Sequence, residues 1–154
     1  MEFRFAIQED VPAILQLLKQ VGAVHHQGRP DIFRENAQKY GPSQVLSKLD
    51  SILIAAEGAK VLGYCFFIME THKNDPVMTD RRELYIDDLC IDETLRGKGV
   101  GKALYTRAVE YAKEQGCSSV TLNVWCCNEN AMAFYQKLGM QPRKIYMEMG
   151  LEDA

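Results

Sequence analysis

The sequence predicts one mixed α/β domain over residues 1–154, and three observations carry that reading. Apolar residues alternate at period two in some stretches and recur at helical spacing in others. The two kinds of stretch are interleaved along the chain, with no linker, internal repeat or low-complexity tract to divide them. A length of 154 residues is also that of one domain with a proper core.

Each element follows in order. In EFRFAI, Phe3, Phe5 and Ile7 share one face of a half-buried strand. Asp10 is placed to cap a helix whose first turn tolerates Pro12, and Ile14, Leu17, Leu18 and Val21 recur at helical spacing until Gly22 stops it. HHQGRPDIFRENAQKYGPS is polar and irregular, with room for one helix between Pro30 and the Gly41-Pro42 pair. Ser43 is the expected cap of a short helix to Leu49. SILIAAE and VLGYCFFIM, separated by GAK, read as an antiparallel hairpin, and THKNDPVMTDRR as a polar loop. ELYIDDLCI is a strand, followed by a helix over 102–115 in which Leu104, Ala108, Tyr111 and Ala112 share a face and which Gly116 ends. SVTLNV is the next strand. Asn128 then caps a helix striped by Ala131, Phe134, Tyr135 and Leu138 and ended by Gly139, and KIYMEMGL closes as a final strand.

Composition excludes several function classes. With 47% hydrophobic and 25% charged residues and a net charge of -3, the chain has no global pull toward nucleic acid or an anionic membrane, and nothing basic interleaves with aromatics. The longest apolar runs, such as 61–69, are too short to cross a bilayer, and the N-terminus alternates where a signal peptide would need an apolar block, so a cytoplasmic location is expected. Cys65, Cys90, Cys117, Cys126 and Cys127 form no C-x-x-C pair and are odd in number, which reads as free thiols. The neighbours His25 and His26 lack a third ligand at a useful spacing, so no metal is expected.

The stretch LRGKGVGKAL, residues 95–104, carries the chemistry. A strand running into a glycine-rich loop and then a helix holds phosphate well, because the first amides of the helix lack internal partners and its dipole favours an anion. A G-x-x-x-x-G-K-[ST] loop would need glycine at Arg96 and a hydroxyl at Ala103, and a G-x-G-x-x-G fingerprint would need glycine at Lys102. Both fail.

The pattern Arg96-x-x-Gly99-x-Gly101 resembles the pyrophosphate loop of the GNAT N-acetyltransferase superfamily. YIDDLCIDETLRGKGVGKAL resembles that family's fourth strand and phosphate helix, and TLNVWCCNENAMAFYQKLGM its fifth strand and following helix. The resemblance implies a mostly antiparallel sheet flanked by helices and an acetyl-coenzyme-A-dependent N-acetyltransferase. It implies that Arg96, Gly97, Lys98, Gly99, Val100, Gly101 and Lys102 meet the diphosphate. The backbone of Leu89, Cys90 and Ile91 would run beside the pantetheine at a bulge, with Asn128, and with less weight Asn123, contacting it. Asn128 is also a helix cap, which needs no function.

Transfer to an amine needs a base, a held carbonyl and a proton for the leaving thiolate. Tyr135 matches the family's general acid, although its spacing also suits a core aromatic. Strand alternation puts Glu83, Tyr85, Asp87 and Leu89 on one face and Asp88 and Cys90 on the other. Glu83 resembles the base of the histone-acetylating branch and Asp87 an acid of a polyamine-acetylating branch; water is the third candidate. Cys90 is not read as a nucleophile. His26, Arg29, Asp31 and Arg34, in the segment 25–40 where this superfamily varies, are the acceptor-binding candidates. The acids around Glu83, Asp87 and Asp88 slightly favour a small cationic amine, with a protein N-terminus or lysine, or an idle acyl-coenzyme-A sensor, as alternatives. Homodimers are common for the fold implied, but no exposed stripe in the sequence specifies one.

Overall fold

The computed structural model describes residues 1–151. They form two compact units, Met1–Asn123 and a second beginning at Val124. In the first lie strands β1 (Glu2–Phe5), β2 (Ile52–Glu57), β3 (Lys60–His72), β4 (Arg81–Ile91) and β5 (Ser119–Leu122), with helices α1 (Val11–Gly28), α2 (Pro42–Leu46) and α3 (Val100–Glu114). The second contains α4 (Glu129–Lys137). The sheet has the order β1-β2-β3-β4-β5, antiparallel throughout except for the parallel pair β4 and β5. A mixed sheet with flanking helices is thus the fold class the sequence predicts.

The hairpin residues explain the layering. β2 and the first half of β3 bury almost every residue, as strands covered on both faces must. On one face Ile14, Leu17 and Leu18 of α1 pack against Ile52, Ile54, Tyr64, Phe66 and Cys90. Phe67, the neighbour of Phe66, serves the other face, where its ring lies 5.3 Å from Tyr111 of α3 and 6.4 Å from Phe5. Each fully buried Leu or Ile here contributes about 1.5–3 kcal/mol of transfer free energy.

Several local expectations change. α1 runs through Gly22 to Gly28, so His25 and His26 stand in its last turn. Gly22 is there for close approach: a Cβ at this position would sit 2.0 Å from the carbonyl oxygen of Ala37. Asp10 precedes α1, but its side chain makes no cap. Its carboxylate accepts from the Ile7 amide at 2.8 Å and from Arg4 at 2.7 Å. No regular helix forms between Pro30 and Gly41, and α2 starts on Pro42, with Ser43 inside its first turn and Gly41 as the capping position. Within the second unit taken by itself, α4 is the helix described and residues 141–151, where a final strand KIYMEMGL is expected, carry no helix or strand assignment. Ile7, expected on the buried face of the first strand, is 48% exposed beyond the end of β1.

Candidate active site

The site grows from an irregularity in β4. Phe66 of β3 pairs with Asp88 while Phe67 pairs with Ile86, so Asp87 is an extra residue in β4, a β-bulge. Regular alternation would send Asp87 and Asp88 to opposite faces; the bulge brings them to the same one. Asp87 accepts from the Tyr40 hydroxyl at 2.7 Å, and Asp88 accepts from the Tyr64 hydroxyl at 2.6 Å. Both tyrosine rings pack on Phe66, at 5.1 and 5.6 Å between centroids.

The two carboxyls differ in environment. Asp87 also forms an ion pair with Lys39, Nζ to Oδ1 2.8 Å, and the lysine side chain is half exposed. Among the described residues no cation pairs directly with Asp88 in this way. Burial pushes its carboxyl up to about 6, with Asp87 adding to the rise, while the Tyr64 hydrogen bond and Lys39 oppose it. Burial, followed by the hydrogen bond to Asp87, raises the Tyr40 hydroxyl far above its usual range, so Tyr40 stays a donor. The cluster is therefore two acids in unlike surroundings under two fixed hydroxyl donors and one half-exposed ammonium.

Nine residues after Asp88, the loop turns through Gly97 and Gly99 with φ of 80° and 84°, a left-handed conformation that strains any residue with a Cβ. Gly99 is the capping position of α3 and offers no side-chain bond to it. The first backbone bond of the helix runs from Ala103 to Gly99 at 3.1 Å, so the amides of Val100, Gly101 and Lys102 have no intrahelical acceptor. Arg96, Lys98 and Lys102 are exposed around this mouth. An anion, such as a diphosphate, fits such a helix start. A shallow cleft of about 510 Å3 opens on Arg96, with Gln16, Gln20 and Gln27 of α1 along one wall.

The profile described as "Acetyltransferase (GNAT) family" matches residues 14–140. The chain belongs to the GNAT family. A solved structure, that of a point mutant of the BH1408 protein of Bacillus halodurans, is 32% identical, with a TM-score of 0.93 over 99% of this chain and 100% of that one. A thialysine N-epsilon-acetyltransferase of Bos taurus is 32% identical over 87 residues, 55% of this chain and 47% of that protein. The N-alpha-acetyltransferase MAK3 of Arabidopsis thaliana is 36% identical over 73 residues, 45% of this chain and 38% of that protein. The matches thus span less than half the length of these two curated relatives.

Within this GNAT chain the other sequence candidates take distinct places. Glu83 lies on β4 and is buried, its carboxylate held by Arg81 at 2.6 Å and by the Ser119 hydroxyl, with His72 at 3.9 Å. Leu89, Cys90 and Ile91 follow the bulge on β4. Cys90 is buried beside Leu17, and burial pushes its thiol up to about 12, which suits packing and opposes a thiolate. Asn123 donates to the Tyr85 hydroxyl at 3.0 Å. In the second unit Asn128 caps α4 by accepting from the Ala131 amide at 3.2 Å, and half-buried Tyr135 packs edge-on against Phe134.

The segment expected to hold the acceptor is braced mostly on itself. His26 bonds the Phe33 carbonyl oxygen at 2.8 Å, Arg29 pairs with Asp31 at 2.8 Å, and Arg34 is exposed. Lys39 and Tyr40, which sequence reasoning passed over, are the residues of that segment that reach Asp87. Their contact spans 48 and 47 residues of chain, and no local pattern encodes it. Tyr64 was hidden in an apolar run; a lone hydroxyl in a buried strand was the signal available.

Proposed function

We propose that this chain is an acetyl-coenzyme-A-dependent N-acetyltransferase that acetylates a primary amine by direct attack in a ternary complex, with a small cationic amine preferred. The observation that carries the amine preference is the ion pair of Lys39 with Asp87: the bulge already receives a primary ammonium at 2.8 Å. A lysine of another protein is the second reading, favoured because the ammonium received there is itself a lysine's. The thialysine acetyltransferase among the relatives acts, by its name, on a lysine-like amine, which supports the same class.

The bound coenzyme supplies the acetyl group as a thioester. The chain's residues do the rest. Amides of Val100, Gly101 and Lys102 bind the diphosphate, helped by the left-handed turns at Gly97 and Gly99. Asp87 orients the incoming ammonium. Asp88, ionised above about pH 6, takes the proton that the amine must lose before it attacks, and its raised affinity for that proton suits it better than an ordinary carboxylate. The Tyr64 hydroxyl holds the Asp88 carboxylate in place. Glu83 is the less favoured base, because Arg81 and Ser119 already hold its carboxylate. Tyr135 is proposed as proton donor to the leaving thiolate on the motif alone.

The test is thiol release from acetyl-coenzyme A across a panel of amines. Polyamines, lysine analogues and lysyl peptides should release thiol, neutral amines poorly. Coenzyme binding with no release for any amine would leave an acyl-coenzyme-A sensor in place of an enzyme.

A further inference from the structure

Both oxygens of Asp87 are taken by two consecutive residues of the chain. Lys39 Nζ lies 2.8 Å from Oδ1, and the Tyr40 hydroxyl donates to Oδ2 at 2.7 Å. The two partners are not equally fixed. The Tyr40 ring packs on Phe66 at 5.1 Å between centroids, whereas the Lys39 side chain is 49% exposed and belongs to a segment with no helix or strand. The Asp87 side chain is only 11% exposed, so the ammonium is the part of the pair open to a ligand. Lys48 makes the contrast. Its Nζ lies 5.6 Å from the centroid of the Tyr40 ring, as does that of Lys39, yet it pairs with no carboxylate among the described residues.

We propose that Lys39 is an internal acceptor: it occupies the place of the substrate's ammonium on Asp87, and its Nζ takes the acetyl group when no free amine displaces it. The inference rests on the reading of Asp87 as the seat of the acceptor ammonium. Lys39 is a primary amine already held on that carboxylate, and Tyr40, one residue on, pins the backbone beside it. Such a tether gives the amine an effective concentration of about millimolar or more, so a free acceptor has to outcompete it. An exposed ion pair is weak enough to be displaced.

The step balances as any amine acetylation does. The Lys39 ammonium gives one proton to Asp88, which shares the bulge, and the nitrogen lone pair forms the C–N bond to the thioester carbonyl carbon. The C–S bond breaks with its electron pair on sulfur. The nitrogen loses its second proton as the amide forms; the thiolate takes up one proton, and one is released to water. The acetylated Nζ is neutral and no longer pairs with Asp87, so the carboxylate is left open to the next ammonium.

The full chain, incubated with acetyl-coenzyme A and no amine, should gain an acetyl group at Lys39, read by peptide mass spectrometry. The rate should be independent of protein concentration, and Lys48 should stay unmodified. Asp87→Asn should slow the modification of Lys39 about tenfold or more, because the amine is no longer positioned, and added putrescine should suppress it. Without coenzyme, Lys39→Met should bind putrescine about two- to fivefold more tightly than the parent chain in calorimetry, as expected when one exposed ion pair no longer competes. Acetyl groups spread alike over surface lysines, or Lys39 modified equally fast in Asp87→Asn, would overturn the proposal as adventitious chemistry. Unchanged putrescine affinity in Lys39→Met would overturn it too. Thiol release to free amines with Lys39 never modified would sink this inference and leave the proposed activity standing; no acetyl transfer to either would end both.

Discussion

Asp88 shows how much one side chain depends on the residue before it. Period-two alternation assigns it to the face away from Asp87, and that reading fails because a bulge is invisible to alternation: Asp87 looks like any other strand residue until Phe66 and Phe67 are seen paired across it. With its carboxyl raised to about 6, Asp88 should make kcat/KM climb as pH rises through that value. Asp88→Asn should remove the climb and lower the rate by about 10²-fold or more, on the order of what a positioned base contributes, while Glu83→Gln leaves the profile's shape intact. A profile that Asp88→Asn does not alter would return the role to Glu83 or water. Asp10 gives the opposite case. Burial alone would raise its carboxyl, but the Arg4 and Ile7 hydrogen bonds outweigh it and hold the group below its usual range. Its stabilisation is therefore complete above the ordinary carboxylate range and is lost as pH falls through the lowered value. Asp10→Asn should cost about 1.5–3 kcal/mol in urea unfolding at neutral pH, and progressively less in acid.

Among the elements, α3 was the most legible, because glycine spacing and helical periodicity are local signals that tertiary contacts rarely erase. Gly99→Val places a branched side chain at φ 84°, costing about 1–2 kcal/mol in strain. It should also abolish coenzyme binding in calorimetry while circular dichroism stays native. Retained affinity would count against the diphosphate seat. Leu104, on the same helix and 0% exposed, tests packing instead: Leu104→Ala should destabilise the chain by about 2–5 kcal/mol, read in thermal unfolding, without changing coenzyme affinity in the folded fraction. α1 was misread at its far end. Glycine ordinarily stops helices, and only the nearness of the Ala37 carbonyl, from beyond the end of the helix, explains why Gly22 lies inside this one.

At the scale of the whole molecule, the mixed sheet and its antiparallel hairpin followed from sequence, and the family was legible from two motifs that lie within the matched range 14–140. What was not legible is non-local. Lys39 and Tyr40 meet Asp87 from nearly fifty residues away.

The doubled residue opposite Phe66 acts as a phase shifter in β4. Ahead of it the side chains keep one rhythm and after it they keep the complementary one, so the stretch ending at Ile86 and the stretch beginning at Leu89 can drift independently. On the proposed reading, substitutions ahead of that point would alter what meets the amine while the backbone that follows it keeps its own pairing to β3.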